Sequence, residues 1–243
     1  LRRIIEDGLG LELVSVWLQN RPYGETAALD GAGTIVSLPY ARDAARTAAE
    51  KTGARLVETG LPVGLEGTLK WIEKVAAATG REKRAREFVE SELGRCAPLL
   101  EWAVPRWFMG RHIVYCGDPY LLPGIEDMVS EVGCTFRCET VICTEDKLEA
   151  LEGDYSDVTC QKRAEPLRNS IMENDKKMKT GLFIADALCA QEIKAALGAG
   201  APVMEFGYPS YDFHALHDTP FLGFRGAMAF YNRMVNHMRP RQG

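Results

Sequence analysis

The chain lacks a surplus of positive charge: 29 Lys and Arg face 34 Asp and Glu, a formal charge of −5 over 243 residues. A field of that sign does not attract phosphate backbones or anionic lipid, so nucleic acid and membrane surfaces are not expected partners. No apolar run approaches the roughly 18 residues of a transmembrane helix. The N-terminus Leu1-Arg2-Arg3-Ile4 leads into Glu6 and Asp7 rather than a signal-peptide core, so the expectation is a soluble, cytoplasmic protein. Internal repeats and low-complexity tracts are missing too. The first residue is not Met, which points to a piece of a longer chain.

What is present suits a globular fold: 46% hydrophobic and 26% charged residues, enough for one large or two ordinary domains. Strand-length apolar runs alternate with helical patterns, the signature of βαβ units and a parallel sheet. Strands are predicted over 11–17, 33–38, 55–59, 112–116, 135–142, 157–159, 182–185 and 203–206. Helical patterns fill the intervals. Ala41, Ala44, Ala45 and Ala48 form one stripe ending at Gly53; Leu65, Leu69, Ile72 and Val75 form another ending at Gly80. The charged stretch 81–92 predicts a solvated helix with pairs such as Lys83 and Glu87. It marks a crossing between two units. The predicted fold is α/β, two Rossmann-like domains with mainly parallel sheets, 1–105 and 106–243, with Trp102, Trp107 and Phe108 packed at the junction around Pro105.

Several segments invite chemistry. Tyr115-Cys116-Gly117-Asp118-Pro119 joins a strand to a helix, where doubly wound folds bind ligands. A dinucleotide fingerprint needs three spaced glycines, and only Gly117 is here. Asp118 reads as an N-cap with Pro119 at N1, its carboxylate standing where a phosphate would sit. Cys134, Cys138 and Cys143 tempt toward a metal, but on one strand Cys134 and Cys138 lie about 13 Å apart at ~3.3 Å per residue. Cys143 has opposite parity and is predicted to face the other side. Seven cysteines without cluster spacing read as core residues. The loop 207–227 is the densest segment, with His214 and His217 flanked by Asp212 and Asp218. Asp218 or Thr219 can cap the last helix, and no third ligand at a defined spacing accompanies the histidines.

Three of these segments together carry a resemblance. Leu61-Pro62-Val63-Gly64-Leu65-Glu66 with Thr68, then Tyr115 to Pro119, then the 207–227 loop with its Gly-Tyr-Pro, Leu216-His217 and Gly223-Phe224-Arg225-Gly226-Ala227, resemble nitrogenase component 1 in order over nearly the whole chain. The likeness is to β-type chains, the molybdenum-iron protein β-chain and related cofactor-assembly and tetrapyrrole-reductase subunits. It implies Rossmann-like domains, an α-type sister subunit and an ATP-dependent iron-sulfur reductase, component 2-like, as partners. Family chains are roughly twice as long, and their N-terminal domain with the cluster cysteines has no counterpart here. The resemblance is therefore to the C-terminal half. An iron-sulfur cluster is implied for the full-length protein and none for this fragment. The cofactor cysteine of α-type chains would fall near Ser37-Leu38, where there is no thiol. His217 falls roughly where the family's second cofactor ligand lies, although β-type chains also carry histidines in this loop without binding cofactor. His217 is the one cofactor-binding candidate; no metal ligand and no catalytic residue is assigned.

The resemblance implies part of an oxidoreductase subunit engaged in ATP-coupled electron transfer to a reducible substrate, the fragment itself being inactive alone. Rivals are a scaffold for metal-cluster cofactor assembly with the same fold, a two-domain Rossmann-like enzyme binding a nucleotide sugar, and a small-molecule binding module without chemistry.

Overall fold

A computed structural model describes residues 1–17, 29–144, 147–148, 151, 153–164, 166–214 and 219–238. Two parallel sheets organise the described residues. The smaller pairs β1 (Thr34–Ser37) with β2 (Arg55–Glu58) across α1 (Arg42–Thr52), in the register Thr34 to Arg55. The larger has five strands in the order β5-β4-β3-β6-β7. These are β3 (His112–Gly117), β4 (Thr135–Ile142), β5 (Cys160–Gln161), β6 (Leu182–Ala185) and β7 (Val203–Glu205), all parallel to their neighbours. The α/β alternation is as predicted, because β6 and the centre of β3 are buried on both faces and therefore read as unbroken apolar runs.

Helices α2 (Gly64–Thr79) and α3 (Glu82–Ala103) connect the sheets. Within the larger sheet, α4 (Leu122–Glu131) joins β3 to β4, α5 (Leu167–Met178) precedes β6, and α6 (Ala187–Leu197) joins β6 to β7. The last helix, α7 (Gly223–His237), returns across the molecule. Its Phe230, Tyr231 and Met234 join the core of the larger sheet, whereas its Phe224 packs with Trp71, Ile72 and Val75 of α2.

Close approach holds α2 to α4. A Cβ placed on Gly124 would lie 2.6 Å from the Val63 Cβ, so only glycine lets the segment before α2 rest on α4. The end of α4 completes the contact. The Glu131 carboxylate accepts from the amides of Leu65 and Glu66 at 3.1 and 2.6 Å, capping α2 from another element, and from the Tyr231 hydroxyl at 2.7 Å. The same hydroxyl is 3.0 Å from the Met128 carbonyl. Lys70 reaches Asp127 beside it at 2.9 Å.

Three expectations are corrected. Residues 11–17 form no strand: they run as irregular backbone with no ladder partner among the described residues, and Leu11 packs against the α2–α3 cluster instead. The helix over 81–92 is not solvated throughout. Glu92 is only 4% exposed and is paired with Arg3 of the N-terminal turn and with Arg95, so the helix is tied by contacts other than the expected Lys83–Glu87 pair. Finally, Cys143 does not face away from Cys138. The ladder pairs Tyr115 with Cys138 but Cys116 with Thr140, so Glu139 is an extra residue and the parity of β4 flips after it. Cys138 and Cys143 both pack on the α4–α7 side of the sheet.

Candidate functional site

Chain order reverses between β3 and β6: β3 leads by α4 to β4 on one side, while β6 leads by α6 to β7 on the other. The crevice beyond the carboxyl ends of these strands is where open α/β sheets bind ligands. Two aspartates stand there. Asp118 follows β3, and its Oδ1 accepts the Tyr120 amide at 2.7 Å with Pro119 opening the turn, the capping arrangement read from the sequence. Asp186 follows β6 and caps α6 by accepting the Cys189 amide at 2.9 Å. Burial, reinforced by Asp118, pushes the Asp186 carboxyl up against the pull of its capping amides.

Tyrosines surround the pair. Tyr115 is fully buried and donates to the Asp118 carbonyl at 2.8 Å. Tyr40 comes from the turn after β1, lies beside Asp118 and meets Tyr120 edge to face at 5.1 Å between centroids. Burial and the Asp118 carboxylate both push the Tyr40 phenol up. Under this rim lie the thiols of Cys116, Cys138 and Cys189, all pushed well up by burial first and then by nearby acidic or thiol groups. A protonated thiol is a poor metal ligand. Cys134 is likewise pushed up by burial, to about 12, and donates to the Phe108 carbonyl.

The second half of the site is the loop after β7. The Glu205 carboxylate accepts the Ser210 hydroxyl at 2.6 Å and the amides of Tyr211 at 2.7, Asp212 at 3.1 and Phe213 at 3.4 Å, so the loop winds around one buried anion. Although burial pushes this carboxyl up, those donors together pull it below its ordinary value. Arg233 of α7 locks the other side: it donates to the Glu205 carbonyl at 2.7 Å and lies 4.0 Å from the Phe213 ring centroid. Lys194 holds Asp212 at 2.5 Å, and His214 is exposed at the end of this wound segment. His217 and Asp218 lie outside the described residues.

The recurring motifs meet in space. The Pro62 carbonyl accepts the Gly223 amide at 2.8 Å and the Thr68 hydroxyl at 3.3 Å, joining the segment 61–68 to the segment 223–227. In the latter, a Cβ on Gly226 would fall 2.3 Å from the Phe221 carbonyl carbon, so a glycine lets the chain turn tightly into α7. A sequence profile described as nitrogenase component 1 type oxidoreductase matches residues 1–239. The chain belongs to this family. It is 24% identical over 215 residues to the nitrogenase molybdenum-iron protein beta chain of Methanococcus maripaludis, covering 84% of this chain and 44% of that one. It is 25% identical over 154 residues to the light-independent protochlorophyllide reductase subunit N of Synechococcus sp. (strain JA-3-3Ab), covering 63% and 33%. In fold it resembles a solved structure titled nitrogenase Cp1 at pH 5, with a TM-score of 0.75, 15% identity and coverage of 97% of this chain and 52% of the other. The chain thus spans less than half the length of the curated relatives it matches.

For a component 1-type chain, the shared motifs found here are scaffolding. Residues 61–68 and 223–227 weld α2 to α7, and 115–119 builds the rim of the crevice. No group of three or more His, Cys, Asp or Glu side chains among the described residues has the geometry to hold a metal ion. These residues do not by themselves fit an iron-sulfur cluster. Asp186, Tyr40, Glu205, Arg233 and Cys160 were not singled out by the sequence. Asp186 alone had a legible signal, an acidic residue between an apolar strand and a helix, the same cue that exposed Asp118.

Proposed function

We propose that this chain is part of a β-type subunit of a nitrogenase-like oxidoreductase, working in the cytoplasm with an α-type sister subunit and an ATP-dependent iron-sulfur reductase. The whole protein takes part in electron transfer to a reducible substrate through an iron-sulfur cluster that lies outside the residues described. The observation that carries this reading is the family match across residues 1–239, in a chain whose motifs 61–68 and 223–227 interlock. A division into domains 1–105 and 106–243 belongs to the same reading, supported by the two separate sheets. The role of this chain's own residues is to present a surface: Glu205 and Arg233 set the path of the loop leading to His217, and Asp118 and Asp186 shape the neighbouring crevice.

An exposed apolar face supports a partner. Leu99 and Trp102 of α3 are 59% and 62% exposed, next to an open groove of about 480 Å³ lined by Leu65, Leu93, Cys96 and Leu100. Among the described residues no helix is long and apolar enough to cross a membrane.

Anaerobic co-purification of the complete subunit with its α-type sister, followed by iron and acid-labile sulfide analysis and ATP-dependent reduction by the iron-sulfur reductase, tests the proposal. Stoichiometric iron and ATP-dependent reduction are expected. A complete protein free of iron and stabilised by UDP-sugars in a thermal-shift screen overturns it in favour of nucleotide-sugar binding.

A further inference from the structure

Cys143 and Cys160 face one another at the edge of the larger sheet, their Sγ atoms 3.4 Å apart. Strand parity brings them together. Val141 is the ladder partner of Cys160, and Cys143, two residues on from Val141, projects from the same face. The backbone fastens the geometry: the Cys143 amide donates to the Gln161 carbonyl at 3.0 Å, and the Cys160 thiol donates to the Cys143 carbonyl at 3.1 Å. Both side chains are half-buried, whereas Cys96, Cys116, Cys134 and Cys189 are buried.

We propose that Cys143 and Cys160 form a redox-active dithiol, converted to an intrachain disulfide by exchange with a low-molecular-weight disulfide such as oxidised glutathione. A disulfide requires the sulfurs to close to about 2.05 Å, a movement of roughly 1.4 Å that side-chain rotation at facing positions supplies. In the exchange, the Cys160 thiolate attacks one sulfur of the small disulfide and expels one small thiol. The Cys143 thiolate then attacks the Cys160 sulfur of the mixed disulfide and expels the second. The protein loses two protons and two electrons, and the oxidant is reduced to two thiols. Burial, then the facing Cys160 thiol and the Asp118 carboxylate push the Cys143 thiol up to about 12 against the pull of Lys147, so its small thiolate fraction slows the second attack and the exchange quickens as pH rises.

The bond would change the structure at a weak point. Strand β5 is only two residues long and is held to β4 by the pairs Val141–Cys160 and Ile142–Gln161. A covalent tie would convert this edge into a permanent part of the sheet.

The test is peptide mapping of the folded chain after incubation with excess oxidised glutathione, with circular dichroism confirming the native state. Expected are a mass loss of about 2 Da, a fall in alkylatable thiols from the seven of the sequence by two, and a link between tryptic peptides 138–147 and 148–162 that dithiothreitol reverses. Fragment ions must place the link at Cys143, because Cys138 lies in the same peptide. Cys138→Ser should keep the link, and Cys143→Ser and Cys160→Ser should each abolish it. A link through Cys138, a stable glutathione adduct on either cysteine, or seven unmodified thiols in the native protein overturns the proposal. The wild-type map decides on its own if a variant does not fold.

Discussion

Replacing Glu131 with Ala removes the carboxylate that joins α4, α2 and α7. Three donors lose their acceptor: the amides of Leu65 and Glu66 and the Tyr231 hydroxyl. Hydrogen bonds to a charged group contribute about 1.5–3 kcal/mol each when sheltered. The full sum does not apply, because Glu131 is an exposed residue, water can reach the freed amides, and Tyr231 keeps the Met128 carbonyl. The better comparison is deletion of a helix N-cap, so the expected loss is about 1–2 kcal/mol. For a chain of this size that lowers the melting temperature by about 2–4 °C per kcal/mol. Urea unfolding should show a lower midpoint with an unchanged slope. Glu131→Gln, which keeps an acceptor but not the charge, should lose about half as much. In a double-mutant cycle, Tyr231→Phe should couple to Glu131→Ala by about 0.5–1 kcal/mol. An unchanged midpoint in Glu131→Ala, or purely additive effects with Tyr231→Phe, would refute the idea that this carboxylate latches the two sheets together.

Gly124→Ala forces a Cβ to within 2.6 Å of the Val63 Cβ; overpacking of about 1–3 kcal/mol should outweigh the gain of about 1 kcal/mol in helix propensity, and adding Val63→Ala should recover part of the loss in urea unfolding. Glu205→Ala should speed amide hydrogen exchange at Tyr211, Asp212 and Phe213 by about tenfold, equivalent to about 1.4 kcal/mol of lost hydrogen bonding, while leaving the amides of β6 slow. Because the folded state holds the Glu205 carboxyl below its ordinary 4.5, its stabilisation is complete above that pH and is lost as pH falls through the lower folded value; in wild type, protection of those amides should disappear over that window, and protection that persists well below it argues against an ionised anchor. His112 behaves similarly near neutrality: burial, then Arg137, lower its pKa from 6.5, so its contribution is complete above 6.5 and lost as pH falls through the folded value. His112→Gln should flatten the dependence of the urea midpoint between about pH 7 and pH 5, and an equal slope in both proteins would remove His112 as the cause.

Features set by local chemistry were legible in the sequence. The buried runs of β3 and β6, the helices ending at Gly53 and Gly80 and the Asp118–Pro119 cap each need only near neighbours along the chain. The motifs that mark the family were equally visible, but not their purpose, since the contact of the Pro62 carbonyl with the Gly223 amide joins positions far apart in sequence. Parity arguments about the cysteines failed at one residue. The bulge at Glu139 reverses every side chain after it, and nothing local to β4 announces it. Site polar groups were hidden for a similar reason: Glu205 reads as an ordinary strand-end acid until the loop folds back and aims three amides at it.

Amino-acid order by itself determined that this is an α/β chain of the component 1 type, because periodicity and family motifs are properties of the string. Tertiary structure alone decided which side chains share a space. Glu92 finds Arg3, Glu131 finds the start of α2, and Cys143 finds Cys160 only when helices and strands have packed, since burial and close approach set the energies of such contacts and neither exists in an extended chain.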